Sequence, residues 1–504
     1  MNGLSPLLIM IVVVAYFLLL MLVSYFTGKD SGNANFFLAG RKSPWYLVAF
    51  GMVGASLSGV TFISIPGVVG RGGANMEFSY MQMVFGYLLG YFVIATVLLP
   101  MYYRLNLTSI YTYLDERFGR VSYRTGAGFF ILSRTIGASF RLFLVAMVFQ
   151  FIFDMIPGFS VPFWATVALT ILLIWVYTFR GGINTIVWTD TLQTLCMLTA
   201  VVLTIGAIGN ALGVGYGGVV GVIRESEYSQ MFFFDGGWND SNNFIKQFLG
   251  GASIAIVMTG LDQDMMQKNL TCRSLGDAQK NMFWFSIVLV FANLLFLGMG
   301  ALLYIYANKN GIAIPERADQ LFPMIALQHL SPAIGIVFIL GLIAAAYSSA
   351  DSALTSLTTS FCVDFLGFEE ENQTRTKAEQ KRTRTIVHIG FSLLLFFVII
   401  GFWYINDDSV INNLFRIAGY TYGPLLGLYA FGLFTKLKIR DELALVVCLT
   451  APVLTYIINM YSKELLFGYT FGFELLILNG VLTFLGLLAI SKRYADDSEF
   501  IDNF

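Results

Sequence analysis

The chain has 504 residues, 57% of them apolar and only 12% charged, with a mean hydropathy of +0.72. Water-facing domains of that length need far more ionised surface, so soluble enzymes, disordered hubs and secreted disulfide scaffolds are excluded and a membrane protein is expected. A formal net charge of −1 without a basic cluster excludes a nucleic-acid partner.

Thirteen apolar runs are long enough to cross a bilayer as helices, since a core about 30 Å thick takes about 20 residues at about 1.5 Å each. They lie near 5–27, 45–70, 77–103, 125–153, 160–178, 184–212, 243–262, 282–306, 333–361, 385–405, 410–435, 441–460 and 471–491. The first is followed, not preceded, by a positive charge at Lys29, the reverse of a signal peptide's flanks, so it counts as a span. Cytoplasmic loops carry the excess of Lys and Arg, and most of the 30 fall on the side that holds the C-terminus, among them Arg117, Arg120, Lys268, Arg273, Lys381, Arg384, Lys436 and Arg440. The N-terminus is therefore expected outside and the C-terminus in the cytoplasm of a cell bounded by this plasma (inner) membrane. The external 213–242 stretch is long enough to fold over an entrance, and 364–384 reads as a solvated cytoplasmic loop. Cys196, Cys272, Cys362 and Cys448 are scattered singly and His329 and His388 stand far apart, so disulfides, metal chemistry and enzymatic acid–base chemistry have little material.

Polar groups inside a bilayer are costly and are the default functional candidates. The second run, AFGMVGASLSGVTFISIPGVVG, carries Gly51, Gly54, Gly59, Pro66 and Gly67 with Ser56, Ser58 and Thr61, and is poor as one continuous helix. A break there frees backbone carbonyls, which are tolerated at mid-membrane only where protein or a bound ion satisfies them. In the fourth run Arg134 and Arg141 are seven apart, on one helix face, able to pair with acids or to hold an anionic solute. Asp190 falls several residues into the sixth run, where a carboxylate needs a partner. The seventh run echoes the second, with Gly251-Ala252-Ser253 against Gly54-Ala55-Ser56. In the ninth, Ser348, Ser349, Ser352, Thr355, Ser356 and Thr359 recur at helical spacing beside Asp351. Hydroxyls and freed carbonyls are the oxygen ligands a hard cation such as sodium takes. Single hydroxyls of this kind often bond only to their own helix.

Four segments, GGINTIVWTDTLQ from Gly181, DQDMMQKNL from Asp262, SSADS from Ser348 and GYTYGPLLGL from Gly419, together resemble the sodium/solute symporter family of sugar, proline, sialic acid and vitamin carriers. The resemblance implies an all-α membrane protein with a LeuT-like five-plus-five inverted repeat. Its parts would be an extra helix at 5–27, repeats at 45–212 and 243–435, two C-terminal helices at 441–491 and a cytoplasmic tail at 492–504. Carried over by position, the family's common sodium site implies backbone oxygens of Gly54, Leu57 and Ala345 with the hydroxyls of Ser348 and Ser349. In members with a second sodium the matching positions are Asp190, Ser348, Asp351 and Ser352, Asp351 standing where the two-sodium sialic acid carriers have serine. The solute is expected near Ser56, Ser58, Thr61, Glu77, Phe78 and Gln82. Met258 stands where sugar carriers have a ring-stacking tyrosine, and Arg134 or Arg141 falls in the region that holds the carboxylate of sialic acids.

These readings point to a sodium-coupled secondary active symporter that imports a small polar or carboxylated solute by alternating access, with one or two sodium ions, a lipid bilayer as surroundings and no obligatory protein partner. The alternatives are a proton-coupled carrier of similar fold, using Asp190 or Asp351, and a sodium/sugar symporter.

Overall fold

A computed structural model describes residues 6–27, 37–154, 160–178, 182–368, 375–405 and 410–492. Lys29, Arg180, part of the 364–384 loop and residues 493–504 of the expected tail lie outside the described residues. Helices take the places of all thirteen predicted runs: α1 (Pro6–Thr27), α2 (Trp45–Ser56) with α3 (Gly59–Val68), α4 (Tyr80–Arg104), α5 (Arg120–Asp154), α6 (Phe163–Thr178), α7 (Gly182–Ala211), α8 (Phe244–Ala255), α9 (Gln263–Asn269), α10 (Leu275–Lys309), α11 (Pro332–Ser360), α12 (Lys377–Ile405), α13 (Val410–Thr421), α14 (Gly423–Phe434), α15 (Ala444–Met460) and α16 (Leu475–Ala489).

Local chemistry sets many of the ends. The Ser274 hydroxyl accepts Asp277 N–H at 3.2 Å to start α10, Asn243 accepts Ile245 N–H at 3.0 Å to start α8, and Pro332 opens α11 where its missing N–H costs nothing. The second run breaks at Leu57–Ser58, where α2 and α3 meet at 53°. The seventh run also breaks: α8 runs on through a wider π turn at Ile256–Gly260, and α9 then turns away by 68°. The sequence expectation ended this run at 262 and counted Lys268 as a loop charge. Asp262 instead caps a further turn of helix, its side chain accepting Asp264 N–H at 2.9 Å, so that Lys268 is carried into the interior at 1% exposure.

Two groups of helices emerge from the packing. The broken pair α2/α3 packs on α10, α8 packs on α4 and α9 lies against α11 and α2, while α5, α6, α11 and α12 pack on one another. α11 faces α2 and α3, and α7 lies against both α2 and α11. The 213–242 stretch is pinned over the α3–α4 link by Gln82, which accepts Phe233 N–H at 3.1 Å and donates to Asn242 O at 2.8 Å, and by Asn242, which donates to Gly73 O at 2.8 Å.

Lipid offers no hydrophobic drive between helices, so close approach of small residues carries much of the packing. On α4 and α8 this is reciprocal: a Cβ at Gly86 would lie 2.9 Å from Ala252 N, and one at Gly251 would lie 2.8 Å from Met83 Cα. Gly251→Val therefore overpacks this seam by about 1–3 kcal/mol. The thermal midpoint of the purified protein in detergent is expected to fall, whereas Gly72→Ala, with open space around it, leaves it unchanged.

Candidate functional site

The site is built around the two helix breaks, which are satisfied in different ways. At the second, the carbonyls freed by the turn are sealed by protein: Tyr102 donates its hydroxyl to Gly260 O at 2.8 Å and Tyr111 to Leu261 O at 3.0 Å. At the first, the last α2 bond runs from Leu57 N–H to Val53 O at 2.8 Å, and Ser58 is extended (ψ 179°). There the group that reaches in from outside is a serine of α11: Ser349 Oγ donates to Ala55 O at 3.1 Å.

Ser348 Oγ stands close by. A Cβ built on Gly54 would come within 3.4 Å of it and would overlap Thr194 Oγ1 on α7. Gly54, Ser348 and Ser349 are thus brought together; Leu57 lies in the break and Ala345 one turn earlier on α11, both buried. Most other hydroxyls of the α11 stripe turn back on their own helix, Ser352 to Ser348 O at 3.1 Å, Ser356 to Ala353 O at 3.0 Å and Thr359 to Thr355 O at 2.8 Å. The two serines at the break are those whose hydroxyls cross to a neighbouring helix without also bonding a carbonyl of α11.

A layer of fully buried charge adjoins this point. Asp190 on α7 accepts Lys268 Nζ on one carboxylate oxygen at 2.7 Å and Ser348 Oγ on the other at 2.8 Å. Ser352 Oγ donates to Ser348 O at 3.1 Å and lies 3.3 Å from Asp264. Arg134 on α5 is ion-paired with Asp264 and stands 3.9 Å from Asp262, which also takes the Tyr422 hydroxyl at 2.6 Å. Asp351 accepts Ser352 N–H at 2.6 Å and is within electrostatic reach of Tyr16 on α1.

Next to the first break is a cavity with about 70 Å³ of room for the centres of water-sized molecules, lined by Ser56, Ser58, Thr61, Arg134, Arg141 and Met258 among the residues singled out in the sequence. Arg141 is buried, and its Nε and Nη1 make no hydrogen bond among the described residues; Asn293 Oδ1 on α10 is likewise unpartnered. Such orphaned donors and acceptor are what a polar solute would satisfy. Glu77, Phe78 and Gln82 do not line this cavity. Glu77 sits at φ +53° with its N–H on Val69 O at 2.7 Å, Phe78 donates to Gln230 O at 3.0 Å, and both ends of the Gln82 amide are engaged by the external loop. Outside the spans, burial pushes the Glu77 carboxyl above its ordinary pKa.

Other lining residues escaped the sequence analysis. Tyr80, Tyr87 and Tyr91 line one face of α4, with the Tyr80 and Tyr87 hydroxyls 3.0 Å apart; their spacing of seven and four was the available signal. Asn293, Leu414 and Phe415 also line it, and nothing local in their segments marks them.

A model of the sodium:solute symporter family matches residues 36–446. The chain is 24% identical over 473 residues to a sodium/sialic acid symporter of Aliivibrio fischeri, covering 91% of this chain and 89% of that one. It is 23% identical over 498 residues to a sodium/sialic acid symporter of Proteus mirabilis, covering 95% of each. A solved structure of a sodium-coupled sialic acid symporter in a substrate-bound outward-open state superposes with a TM-score of 0.80 at 18% identity, over 96% of this chain and 99% of that one, which shows the LeuT-like fold.

A methyl at position 54 would fill the space between Thr194 and Ser348. Gly54→Ala is expected to overpack the first break by about 1–3 kcal/mol and so to raise half-saturating sodium for an ion held there by about 5- to 150-fold. Sodium titration of the purified variant, read by thermal shift, checks this.

Proposed function

The chain belongs to the sodium:solute symporter family, and from that premise we propose how its described residues divide the work of transport. It is a multi-pass membrane transporter that couples sodium to the movement of a small solute, and it is not an enzyme. Sodium is held between the first break and α11 by backbone oxygens of Gly54, Leu57 and Ala345 and the hydroxyls of Ser348 and Ser349. Support comes from Ser349 reaching the Ala55 carbonyl and from the tight clearance among Gly54, Thr194 and Ser348. All these donors are neutral oxygens, which suits a weakly held monovalent ion that must also be released.

The solute occupies the adjoining cavity and is a small carboxylate. The observation that carries this is Arg141, a buried guanidinium on the cavity wall with two nitrogens unpartnered among the described residues, while Arg134 is already matched by Asp262 and Asp264. Asn293 Oδ1 offers an acceptor for a hydroxyl or amide of the same solute. Sialic acids, the solutes named for the two relatives, carry both kinds of group and are the first candidates to test. Ser56, Ser58, Thr61 and Met258 complete the wall.

In this account sodium ties α2 and α3 to α11, shapes the cavity, and favours the outward-facing form. Inward release then separates α9 from α11 and α7, breaking the Lys268–Asp190 pair. Each charge moved is worth about 2.3 kcal/mol per 100 mV, so one sodium supports roughly fiftyfold accumulation per 100 mV before its own gradient is added. We place the protein in the plasma membrane with its N-terminus outside, on the Lys and Arg distribution, and set the repeats at 45–212 and 243–435 because the first span of each is broken.

Uptake of labelled sialic acid and of simpler carboxylates into proteoliposomes tests the reading. Accumulation is expected under an inward sodium gradient and not under an equal proton gradient. Arg141→Gln removes a charge-assisted contact of about 1.5–3 kcal/mol and weakens carboxylate affinity about 10- to 100-fold. Ser349→Ala raises half-saturating sodium with little change in solute affinity at saturating sodium. Sodium-independent uptake, or an Arg141→Gln variant with unaltered carboxylate affinity, would contradict it.

A further inference from the structure

The Asp190 carboxylate, the Ser348 hydroxyl and carbonyl and the Ser352 hydroxyl form a compact oxygen cluster next to the first break. Left to itself, a buried carboxylate ringed by hydroxyls is a better cation site than the neutral oxygens at the break, because it adds a full charge in a medium that screens poorly. It is not left to itself. Lys268 Nζ sits 2.7 Å from Asp190 Oδ2, and the two side chains are 1% and 0% exposed.

The carboxylates of this layer are already engaged. Asp190, Asp262, Asp264 and Asp351 lie with Lys268, Arg134 and Arg141, all seven buried. Lys268 and Arg134 pair with the first three carboxylates, Asp351 accepts Ser352 N–H, and Arg141 stands beside the cavity for an anionic solute. A metal cation added at Asp190 would stand beside an ammonium in a fully buried site, and like charges at that range exclude one another.

We propose that the Lys268 ammonium is a tethered cation that fills the oxygen cluster at Asp190, Ser348 and Ser352 in place of a sodium ion, and so fixes the coupling at one sodium per transport cycle. Lys268 is in this sense a residue that determines stoichiometry. It reaches the cluster only because the seventh span breaks at Leu261 and carries α9 inward. The inference rests on sodium binding at the first break, with which the cluster shares the Ser348 hydroxyl, while Asp190, Ser352 and Lys268 belong to the cluster alone.

Equilibrium binding of ²²Na⁺ to the purified full chain tests it. The wild type is expected to bind one sodium per chain, with a Hill coefficient of one. Lys268→Met, which keeps the stem and removes the charge, is expected to bind two, with a Hill coefficient rising towards two. Asp190→Asn in the Lys268→Met background is expected to return the count to one. Two sodium ions bound by the wild type would overturn the proposal whether or not the variants fold. So would a folded Lys268→Met that still binds one, since a purely structural ion pair predicts lost stability without a changed count. No sodium bound by the wild type would instead sink the site at the first break.

Discussion

A helix interrupted inside a bilayer leaves backbone carbonyls and amides that lipid cannot satisfy, and each one unmatched costs several kcal/mol. This protein contains two such interruptions and resolves them differently. Behind Gly260 and Leu261 the tyrosines Tyr102 and Tyr111 supply hydroxyls to the freed carbonyls. At Leu57–Ser58 the matching group is the Ser349 hydroxyl on α11, which can donate to a carbonyl or turn a lone pair towards a cation. The first break can therefore exchange partners while the second is fixed, and the fold places the exchangeable one against α11, the helix that belongs to the opposite packing group.

The charged layer follows from the same economy of burial. Replacing a buried ion pair by apolar side chains is often neutral for stability, whereas removing one member leaves an uncompensated charge at a cost of about 3–5 kcal/mol. The pairs Lys268–Asp190 and Arg134–Asp264 both join α9 to other helices, α7 and α5 respectively. They hold the inner half of the second broken span in register, and their separation has to be matched by new partners when that half moves. Arg141, seven residues from Arg134 on the same helix, is spared such pairing and faces the cavity. One helix face thus presents a guanidinium paired with α9 carboxylates and one that is not, distinguished by where α9 directs those carboxylates.

Much of this was legible in the sequence. Hydropathy located the thirteen spans because lipid imposes a length and composition on each, and Gly51, Gly54, Gly59 and Pro66 marked the first break because no continuous apolar helix would choose them. Ser348 and Ser349 stood out with their stripe, although spacing alone did not separate them from Ser352, Ser356 and Thr359, which bond their own helix. Lys268 was not legible: QDMMQKN reads as a polar cytoplasmic loop, and only the break at Leu261 turns it inward. Glu77, Phe78 and Gln82 were placed by resemblance in position, but the bonds that tie Phe78 and Gln82 to the external loop depend on contacts more than a hundred residues away in sequence, and Glu77 is held by the Val69 carbonyl. The Tyr80, Tyr87 and Tyr91 face had a readable period and was passed over because aromatic residues are common throughout such chains.

The central claim is that the native fold, and not the unfolded chain, holds a sodium ion between a broken helix and α11. A ligand bound only by the folded state raises stability with the logarithm of its concentration. The thermal midpoint of the purified protein should therefore climb steadily as sodium replaces choline at constant ionic strength. A midpoint that stays level across the same exchange would contradict the account.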